Sequence, residues 1–321
     1  MYNKKILFLI FLFKFESGLC LINIGKKRIN KVLSKFRTFF FKKMKVSIQG
    51  IKGSYHHQVA LELLGSDIEI NECLSFDNLA ESLKSNQVDL AVMAIENSIA
   101  GSIIPNYALI DNYSLTIVDE YYIEIKHQLM ALPGSKLNDI KEVASHPMAL
   151  LQCKKFFKLH PNIKLIEESD TAAVAKRISD DKIKSLGAIA SYACSKIYKL
   201  DIVSKNIHSI SNNSTRFVLL ENTSSNKSKL SYNKASIKFV LNHKTGNLAA
   251  ILNIISENNL NLTKIQSLPM AHTPWKYSFF VDITFENQKF FEKTSKIIKN
   301  VSESFKILGT YNNKLRNDTS K

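Results

Sequence analysis

Residues 88–95, Val-Asp-Leu-Ala-Val-Met-Ala-Ile, form an almost continuous apolar run. A run of this length and composition is typical of a strand that is covered on both faces, as in a parallel sheet. Before it, Phe76, Leu79 and Leu83 repeat at helical spacing, and Asp77 is a candidate cap for that helix. The two segments together predict a helix that packs on a buried strand.

The same alternation of short apolar runs and amphipathic segments extends from Lys45 to about Glu221. It predicts an α/β domain with a largely parallel sheet. In such sheets ligands bind beyond the carboxyl ends of the strands, where helix N-termini present free N–H groups to anions. Four polar residues at predicted junctions of this kind are candidate N-caps: Ser54, Ser145, Asp170 and Ser191.

The chain changes character after this domain. A polar stretch without a periodic apolar face predicts a linker at residues 223–233. Residues 234–313 then show strand-like and helix-like patterns in the order β-α-β-β-α-β, which predicts a ferredoxin-like domain. Residues 314–321 are expected to form a tail.

Charge is unevenly distributed along the chain. The net charge is +16, but the first 43 residues hold 11 Lys or Arg and one acidic residue, which leaves +6 for the rest. Outside this N-terminal extension there is no basic cluster interleaved with aromatic residues. The sequence therefore argues against a nucleic-acid partner.

The N-terminal extension, residues 1–43, contains eight consecutive apolar residues at 6–13. This run is too short to span a bilayer, so no membrane partner is expected. Met44 lies directly before the first predicted strand, and the simplest interpretation is that translation begins there; a targeting peptide is the alternative.

The four cysteines are Cys20, Cys73, Cys153 and Cys194. They have no metal-type spacing and no close pair, which indicates a reduced, cytoplasmic environment.

Six short motifs occur in order along residues 45–311 and resemble the motif series of the prephenate dehydratase family. The first five are Ile-Gln-Gly-Ile-Lys-Gly-Ser-Tyr at 48–55, Ile-Glu-Asn-Ser-Ile-Ala-Gly-Ser at 95–102, Ser-His-Pro-Met-Ala-Leu-Leu-Gln-Cys at 145–153, Asp-Thr-Ala-Ala at 170–173 and Gly-Ala-Ile-Ala-Ser at 187–191. The sixth is Asn-Ser-Thr-Arg-Phe at 213–217. Six ordered motifs are far more specific than any one of them.

The resemblance implies a two-lobed, periplasmic-binding-protein-like catalytic domain over residues 44–222. It also implies a carbon–oxygen lyase that converts prephenate to phenylpyruvate, with loss of carbon dioxide and water, in L-phenylalanine biosynthesis. Aromatisation of the ring drives this reaction, so the protein need only bind two carboxylates, orient the ring and assist departure of the ring hydroxyl. No metal, nucleotide or redox cofactor is expected, and the sequence has no dinucleotide or phosphate-loop motif.

The same resemblance assigns roles to individual residues. Thr215 is expected to donate a hydrogen bond to the leaving hydroxyl, since a positioned donor stabilises developing hydroxide. Glu96 and Asn97 are expected to orient the substrate, with Glu96 alternatively acting as a general acid, and Gln152 supplies an amide. Arg216 is expected to hold a substrate carboxylate. The other expected substrate contacts are Asn213, Phe217, Ser98, Ser145 and Ser191.

The C-terminal segment resembles an ACT domain, the amino-acid-sensing module that follows the catalytic domain in this family. The resemblance implies an allosteric site for L-phenylalanine between two copies of the chain, in a homodimer or homotetramer. Its expected residues are Gly246, Asn247, Leu248, Gln266, Ser267, Leu268 and Pro269. The family's usual glutamate and arginine are replaced here by Gln266 and Leu268, which removes two charged groups from the expected site.

Two other functions remain open from the sequence. An arogenate dehydratase would use the same carboxylate contacts but recognise an amino group in place of a keto group. A non-catalytic amino-acid-binding protein could share a two-lobed domain and an ACT module, because fold does not fix function. It would not need Glu96, Asn97, Gln152 and Thr215 together, so their joint presence favours an enzyme.

Overall fold

The computed structural model describes residues 43–222, 231–242, 244–270, 273 and 275–315. Expectations about residues 1–42, about residues 223–230 of the predicted linker and about residues 316–321 lie outside these ranges. Within the described ranges, no helix is both long enough and apolar enough to cross a membrane.

Strands and helices alternate along most of the chain. The strands are β1 (Met44–Gln49), β2 (Ile68–Cys73), β3 (Leu90–Asn97), β4 (Gly101–Ser102), β5 (Leu115–Glu124), β6 (Gln128–Ala131), β7 (Glu142–Ser145), β8 (Lys164–Glu167), β9 (Leu186–Ala190), β10 (Asp201–Ser204), β11 (Ser214–Asn222), β12 (Lys234–Val240), β13 (Asn261–Pro269), β14 (Tyr277–Thr284) and β15 (Ser304–Tyr311). The helices are α1 (Tyr55–Leu64), α2 (Phe76–Lys84), α3 (Ile104–Asn112), α4 (Pro147–Gln152), α5 (Lys154–Lys158), α6 (Thr171–Asp181), α7 (Tyr192–Ile197), α8 (Asn247–Glu257) and α9 (Gln288–Val301). A 3-10 turn at Leu137–Asp139 lies between β6 and β7.

The first lobe is built on a sheet with the strand order β5-β11-β3-β1-β2. β1 pairs in parallel with β2 and β3, whereas β11 runs antiparallel to β3 and β5. The predicted buried strand is β3, and its residues 91–95 are buried as expected. The predicted cap of α2 is wrong, because the side chain of Ser75 accepts the capping hydrogen bond and Asp77 lies in the first turn.

The second lobe has its own sheet, in the order β10-β6-β9-β7-β8. β7 pairs in parallel with β8 and β9, and β6 runs antiparallel to β9 and β10. The chain enters this lobe after β5 and returns to the first lobe with β11. The predicted α/β domain is therefore confirmed, and it has two lobes joined by two crossings. The prediction of a largely parallel sheet is wrong, because β11 in the first lobe and β6 in the second run antiparallel to both of their neighbours and make each sheet mixed.

Residues 234–311 form the predicted β-α-β-β-α-β unit. Its four strands lie in the order β13-β14-β12-β15 with every pair antiparallel. Helices α8 and α9 bury Ile255 and Phe291 against one face of this sheet, in a core shared with Phe239. The ferredoxin-like arrangement is confirmed.

The C-terminal domain contacts the first lobe in two ways: β15 pairs with β5, and one face of the C-terminal sheet packs on the core of the first lobe. Gly309 of β15 pairs with Ile117 of β5, and a Cβ at Gly309 would overlap the carbonyl oxygen of Ile117. A glycine is therefore required where β15 joins β5 and the strands of the two domains become one sheet. Phe280, Leu308 and Tyr311 extend the core of the first lobe from the face opposite the two helices.

Three of the four predicted N-caps accept a hydrogen bond from a helix N–H group: Ser54 of α1, Asp170 of α6 and Ser191 of α7. Ser145 does not, so this prediction is wrong. It ends β7, and its Oγ donates to the carbonyl oxygen of Ile189 at 2.7 Å. The cap of α4 is His146, one residue later.

Candidate active site

A cleft of about 640 Å³ is lined by residues of both lobes. Strands β1 and β3 end beside it and β11 begins beside it, while α1, α3, α4 and α6 start at its edge. This is the position beyond the carboxyl ends of parallel strands where ligands bind in α/β folds. The volume suits a small-molecule ligand.

One side of the cleft is apolar. Phe76, Ile103, Ile125 and Phe217 line it. The ring of Phe217 is held by an edge-on contact with His56, whose ring centroid lies 4.9 Å away. An apolar surface of this kind can bury a six-membered hydrocarbon ring while polar groups elsewhere in the cleft bind its substituents.

The polar part of the cleft begins with Asn97 of β3 and Thr215 of β11, which pair in register. Asn97 Oδ1 accepts from the backbone N–H groups of Ile99 at 3.0 Å and Ala100 at 2.8 Å. Because a backbone N–H can only donate, Asn97 Nδ2 is fixed as the donor end of this amide. It donates to Thr215 Oγ1 at 2.9 Å and to Asn213 Oδ1 at 2.7 Å.

The same network continues into the second lobe. Asn213 Nδ2 donates to Gln152 Oε1 at 2.8 Å, and His127 Nε2 lies 2.8 Å from that oxygen. Since Gln152 Oε1 accepts both bonds, His127 carries its proton on Nε2. Its Nδ1 is buried and has no hydrogen-bond partner within the described residues.

The direction of the network determines what it offers a ligand. Thr215 Oγ1 accepts from Asn97, so its own hydroxyl proton is available to donate. The Nε2 group of Gln152 is likewise a donor, because its oxygen is occupied by Asn213 and His127. The cleft therefore presents a hydroxyl donor and an amide donor beside its apolar side.

Two buried histidines at the cleft are neutral. His56 Nε2 accepts from the backbone N–H of Ala94 at 3.2 Å, and burial lowers its pKa from 6.5 to about 3. Burial likewise lowers the pKa of His127 to about 4. His57, next to His56, is buried as well, and its Nδ1 accepts from the N–H of Gly53.

These two histidines predict a pH dependence of stability. We expect the free energy of unfolding to fall as the pH is lowered from 6.5 toward 4. In this window an unfolded histidine is protonated while His56 and His127 remain neutral in the folded chain, so each contributes a slope of about 1.4 kcal/mol per pH unit. Urea unfolding at several pH values measures the slope, and His127→Gln should reduce it by about one histidine's share. Equal slopes in the variant and the wild type would mean that folded His127 titrates normally.

No lysine or arginine lines this cleft within the described ranges. Positive potential comes instead from helix N-termini, above all from α1, whose first residues Tyr55 and His56 line the cleft. Asp170, the cap of α6, adds one carboxylate. An anionic ligand would therefore be held by N–H groups and hydrogen-bond donors rather than by a fixed cation.

Arg216 lies on the face of β11 that points away from the cleft. Its Nε donates to Glu120 Oε2 at 2.8 Å, its Nη2 donates to Tyr311 Oη at 2.9 Å, and its Nη1 donates to Asp282. The side chain is 5% exposed. The structure thus differs from the expectation that Arg216 binds a substrate carboxylate, because the whole guanidinium group is directed at protein partners.

Glu96 shows the same difference on β3. Its Oε1 lies 2.7 Å from Lys264 Nζ of the C-terminal domain, and it does not line the cleft. Successive side chains of a strand point to opposite faces, so when Asn97 and Thr215 face the cleft their neighbours Glu96 and Arg216 face away. This geometry does not support Glu96 as a substrate-orienting group or general acid.

The remaining candidate residues divide into two groups. Thr215, Asn97, Gln152 and Phe217 line the cleft together, and Asn213 lies behind them as the bridge in the network. The three serines do not line it, since their hydroxyls bond to backbone groups: Ser98 to Asn212 and Ser214, Ser145 to Ile189, and Ser191 to Gly53.

Two further histidines, His146 and His127, line the cleft. His146 lines the cleft as the cap of α4, and its Nδ1 accepts from Met148 N–H at 3.2 Å. His127 had no sequence signal, because its partner Gln152 is 25 residues away. Only the closeness of the two lobes reveals its place in the network.

A second cavity, of about 390 Å³, lies in the C-terminal domain. Asn247 and Leu248 line it at the start of α8, where Gly246 adopts a φ of 87° as the helix cap. Residues 266–269 do not line this cavity, and Leu268 instead packs against the core of the first lobe. Within one chain, the two parts of the expected allosteric site are therefore separate.

A family model and curated relatives show the family of this chain, and solved structures show its fold. The family model described as prephenate dehydratase matches residues 46–225. A bifunctional chorismate mutase/prephenate dehydratase of Buchnera aphidicola subsp. Schizaphis graminum is 34% identical over 269 residues, which are 83% of this chain and 70% of that protein. Arogenate dehydratase/prephenate dehydratase 2 of Arabidopsis thaliana is 33% identical, over 84% of this chain and 73% of that one. The solved structure of a prephenate dehydratase in complex with L-Phe from Arthrobacter aurescens superposes with a TM-score of 0.76 at 24% identity, covering 84% of this chain and 90% of that chain.

Proposed function

Since this chain belongs to the prephenate dehydratase family, we propose that the cleft between its lobes converts prephenate to phenylpyruvate, carbon dioxide and water. The observation that carries the proposal is the direction of the amide network. It leaves the hydroxyl proton of Thr215 available as a donor beside an apolar side of the cleft. A dehydration that produces an aromatic ring needs these two features together.

The reaction can be followed atom by atom. The bond from the ring to its carboxylate breaks, and the electron pair enters the ring as carbon dioxide leaves. The carbon–oxygen bond opposite breaks with its electron pair on oxygen, and the departing hydroxide becomes water by taking a proton from solvent. Phe76 and Phe217 would contact the ring, and Thr215 would donate to the departing oxygen. A donor that meets charge only as it develops lowers the barrier more than it tightens binding.

Threonine is a weak acid, so Thr215 would act by a positioned hydrogen bond rather than by full proton release. Asn97 supports this role, because it donates to Thr215 Oγ1 and thereby directs the hydroxyl proton outward. The pyruvyl carboxylate would meet the N–H groups at the start of α1, and Gln152 Nε2 offers a further donor.

Arogenate is the second candidate substrate, and one observation favours it. Asp170 lines the cleft while no lysine or arginine does so among the described residues. A carboxylate there would attract the ammonium group of arogenate and repel the second carboxylate of either acid.

The two substrates are separated by measuring kcat/KM for each with the purified full chain. Asp170→Asn is the informative variant, since asparagine is also a good helix cap and the change removes only the charge. A loss of kcat/KM that is selective for arogenate would identify arogenate as the substrate. Similar losses of kcat/KM for both acids would mean that Asp170 has a structural role. If the wild-type chain turned over neither acid, the proposed reaction would be overturned.

We also propose that the C-terminal domain is an ACT domain that binds L-phenylalanine and inhibits the enzyme in a homodimer or homotetramer. The cavity at Asn247 and Leu248 supports this, and residues 266–269 of a second copy would complete the site. Inhibition requires that phenylalanine bind one arrangement of the lobes more tightly than another.

Calorimetry with phenylalanine, beside activity measured with and without it, tests this regulation. We expect binding and inhibition together even though Gln266 and Leu268 replace charged residues. Binding without inhibition would contradict the coupling, and absence of binding would leave the domain a role in association only.

We propose that the enzyme works in the reduced cytoplasm, where its buried free thiols, Cys73, Cys153 and Cys194, would persist.

A further inference from the structure

We propose that Glu96 and Arg216 are positioning residues for this reaction: ion pairs from their side chains to the C-terminal domain fix the two strands that carry Asn97 and Thr215. The inference rests on the proposed function. It assigns the C-terminal domain a part in forming the catalytic geometry, apart from any effector that the domain binds.

The pairing of β3 with β11 becomes irregular directly beside Asn97 and Thr215. Thr215 pairs with Asn97, and the next residues, Arg216 and Glu96, also pair. Directly after them the register shifts between Arg216 and Phe217. β11 pairs regularly with β5 through these residues, so the interruption affects only its ladder with β3. The backbone therefore constrains the position of β3 relative to β11 less than a regular pair would. Side-chain contacts on the back of the strands can then set the position of the groups in front.

Glu96 is anchored by a lysine of the C-terminal domain. Lys264 Nζ of β13 lies 2.7 Å from Glu96 Oε1 and donates to Ser102 Oγ at 2.8 Å. Ser102 itself lines the cleft and pairs with Glu96 across β3 and β4. The same Nζ lies 5.4 Å from the ring centroid of Tyr107, on the helix that begins at the cleft. One lysine of the C-terminal domain thus contacts three elements of the first lobe beside the catalytic pair.

Arg216 is anchored by two residues of the C-terminal domain. Its partners Asp282 and Tyr311 belong to the C-terminal domain, and Glu120 belongs to the first lobe. The side chains of Arg216, Glu120 and Asp282 are at most 5% exposed. Burial opposes ionisation of Asp282, but the nearby cations, with Arg216 the foremost, outweigh it and hold the pKa of Asp282 below its usual range. The pair is therefore charged and directional at neutral pH.

A purely structural role is the competing explanation, and the chain contains a matched comparison. Asp111, at the far end of α3 from the cleft, forms ion pairs with Lys238 and Lys306 of the C-terminal domain. These pairs also join the domain to the first lobe. They lie on no strand that carries Asn97 or Thr215, so breaking them tests domain attachment alone.

The experiment compares variants of the full chain in turnover of prephenate, or of arogenate if that is the better substrate. Lys264→Met should lower kcat about tenfold and leave KM within about twofold, because misplaced groups lose transition-state contacts more than ground-state binding. Lys264→Arg should restore most of kcat, since it keeps a charge within reach of Glu96. Glu96→Gln should resemble Lys264→Met, and the double variant should lose little more than either single one.

Asp111→Asn is the control and should lower the unfolding midpoint while leaving kcat unchanged. Two results would overturn the inference: wild-type kcat in Lys264→Met, or equal kcat losses in Lys264→Met and Asp111→Asn. A wild-type chain that turns over neither substrate would instead overturn the proposed function, so the two failures can be distinguished. A selective rise in KM for Glu96→Gln would also contradict positioning, because it would mean that Glu96 contacts the substrate.

Discussion

Arg216→Leu is expected to lower the free energy of unfolding by about 3–5 kcal/mol, the cost of breaking a buried ion pair by removing one partner. The substitution leaves Asp282 as a buried carboxylate without its main cation, whereas Glu120 keeps its ion pair with Lys234. It also removes the donor to Tyr311 Oη. The measurement is the urea midpoint of the variant against that of the wild type. Because the guanidinium does not contact the cleft, any protein that folds should keep KM close to the wild-type value.

Arg177→Leu is the matched control for this prediction. Arg177 also pairs with a carboxylate, Glu168 at 2.9 Å, but the two side chains are 43% and 33% exposed. An exposed pair of this kind contributes at most about 1 kcal/mol. A stable Arg216→Leu protein with a large, selective rise in KM would contradict the structure and restore Arg216 as a substrate contact.

Thr215→Val is expected to lower kcat by about 100-fold or more while KM changes little, which is the usual effect of removing a donor that meets charge in the transition state. Valine keeps the shape of threonine and removes only the hydroxyl. The donor amide of Asn97 then loses its bond to Thr215 Oγ1 but keeps its bond to Asn213. Steady-state kinetics of the purified variant supply both constants.

Thr215→Ser is the control, because serine retains a hydroxyl that can accept from Asn97 and donate to the substrate. We expect it to keep most of kcat. A loss as large as that of Thr215→Val would indicate that the methyl group of Thr215, rather than its hydroxyl, is what the reaction needs.

Strand alternation explains which site assignments agreed with the structure. The motifs at residues 95–102 and 213–217 correctly marked the two strands beside the cleft. Each motif, however, places two candidate residues at adjacent strand positions, Glu96 beside Asn97 and Thr215 beside Arg216. Adjacent side chains of a strand cannot both face one side of the sheet. Asn97 and Thr215 face the cleft, so Glu96 and Arg216 face away from it. The expectation that Glu96 and Arg216 contact the substrate is wrong for this reason.

Other features could not be predicted from the sequence because they depend on packing between distant segments. The bond from Asn213 to Gln152 spans 61 residues, and that from Arg216 to Asp282 spans 66. Periodicity predicted the alternation of strands and helices in the first domain and the ferredoxin-like order of the second. Periodicity does not indicate which face of the C-terminal sheet packs on the first lobe. The partners of Arg216 could therefore not be predicted from it.

The most direct test of this account is the single-turnover rate constant for prephenate, with enzyme in excess, for the wild-type chain and for Thr215→Val. Single turnover isolates the chemical step from product release. We predict that the wild type forms phenylpyruvate and carbon dioxide in equal amounts, and that the variant binds prephenate but reacts at least about 100-fold more slowly. Equal rate constants for the two proteins, or no phenylpyruvate from folded wild type, would contradict the central claim.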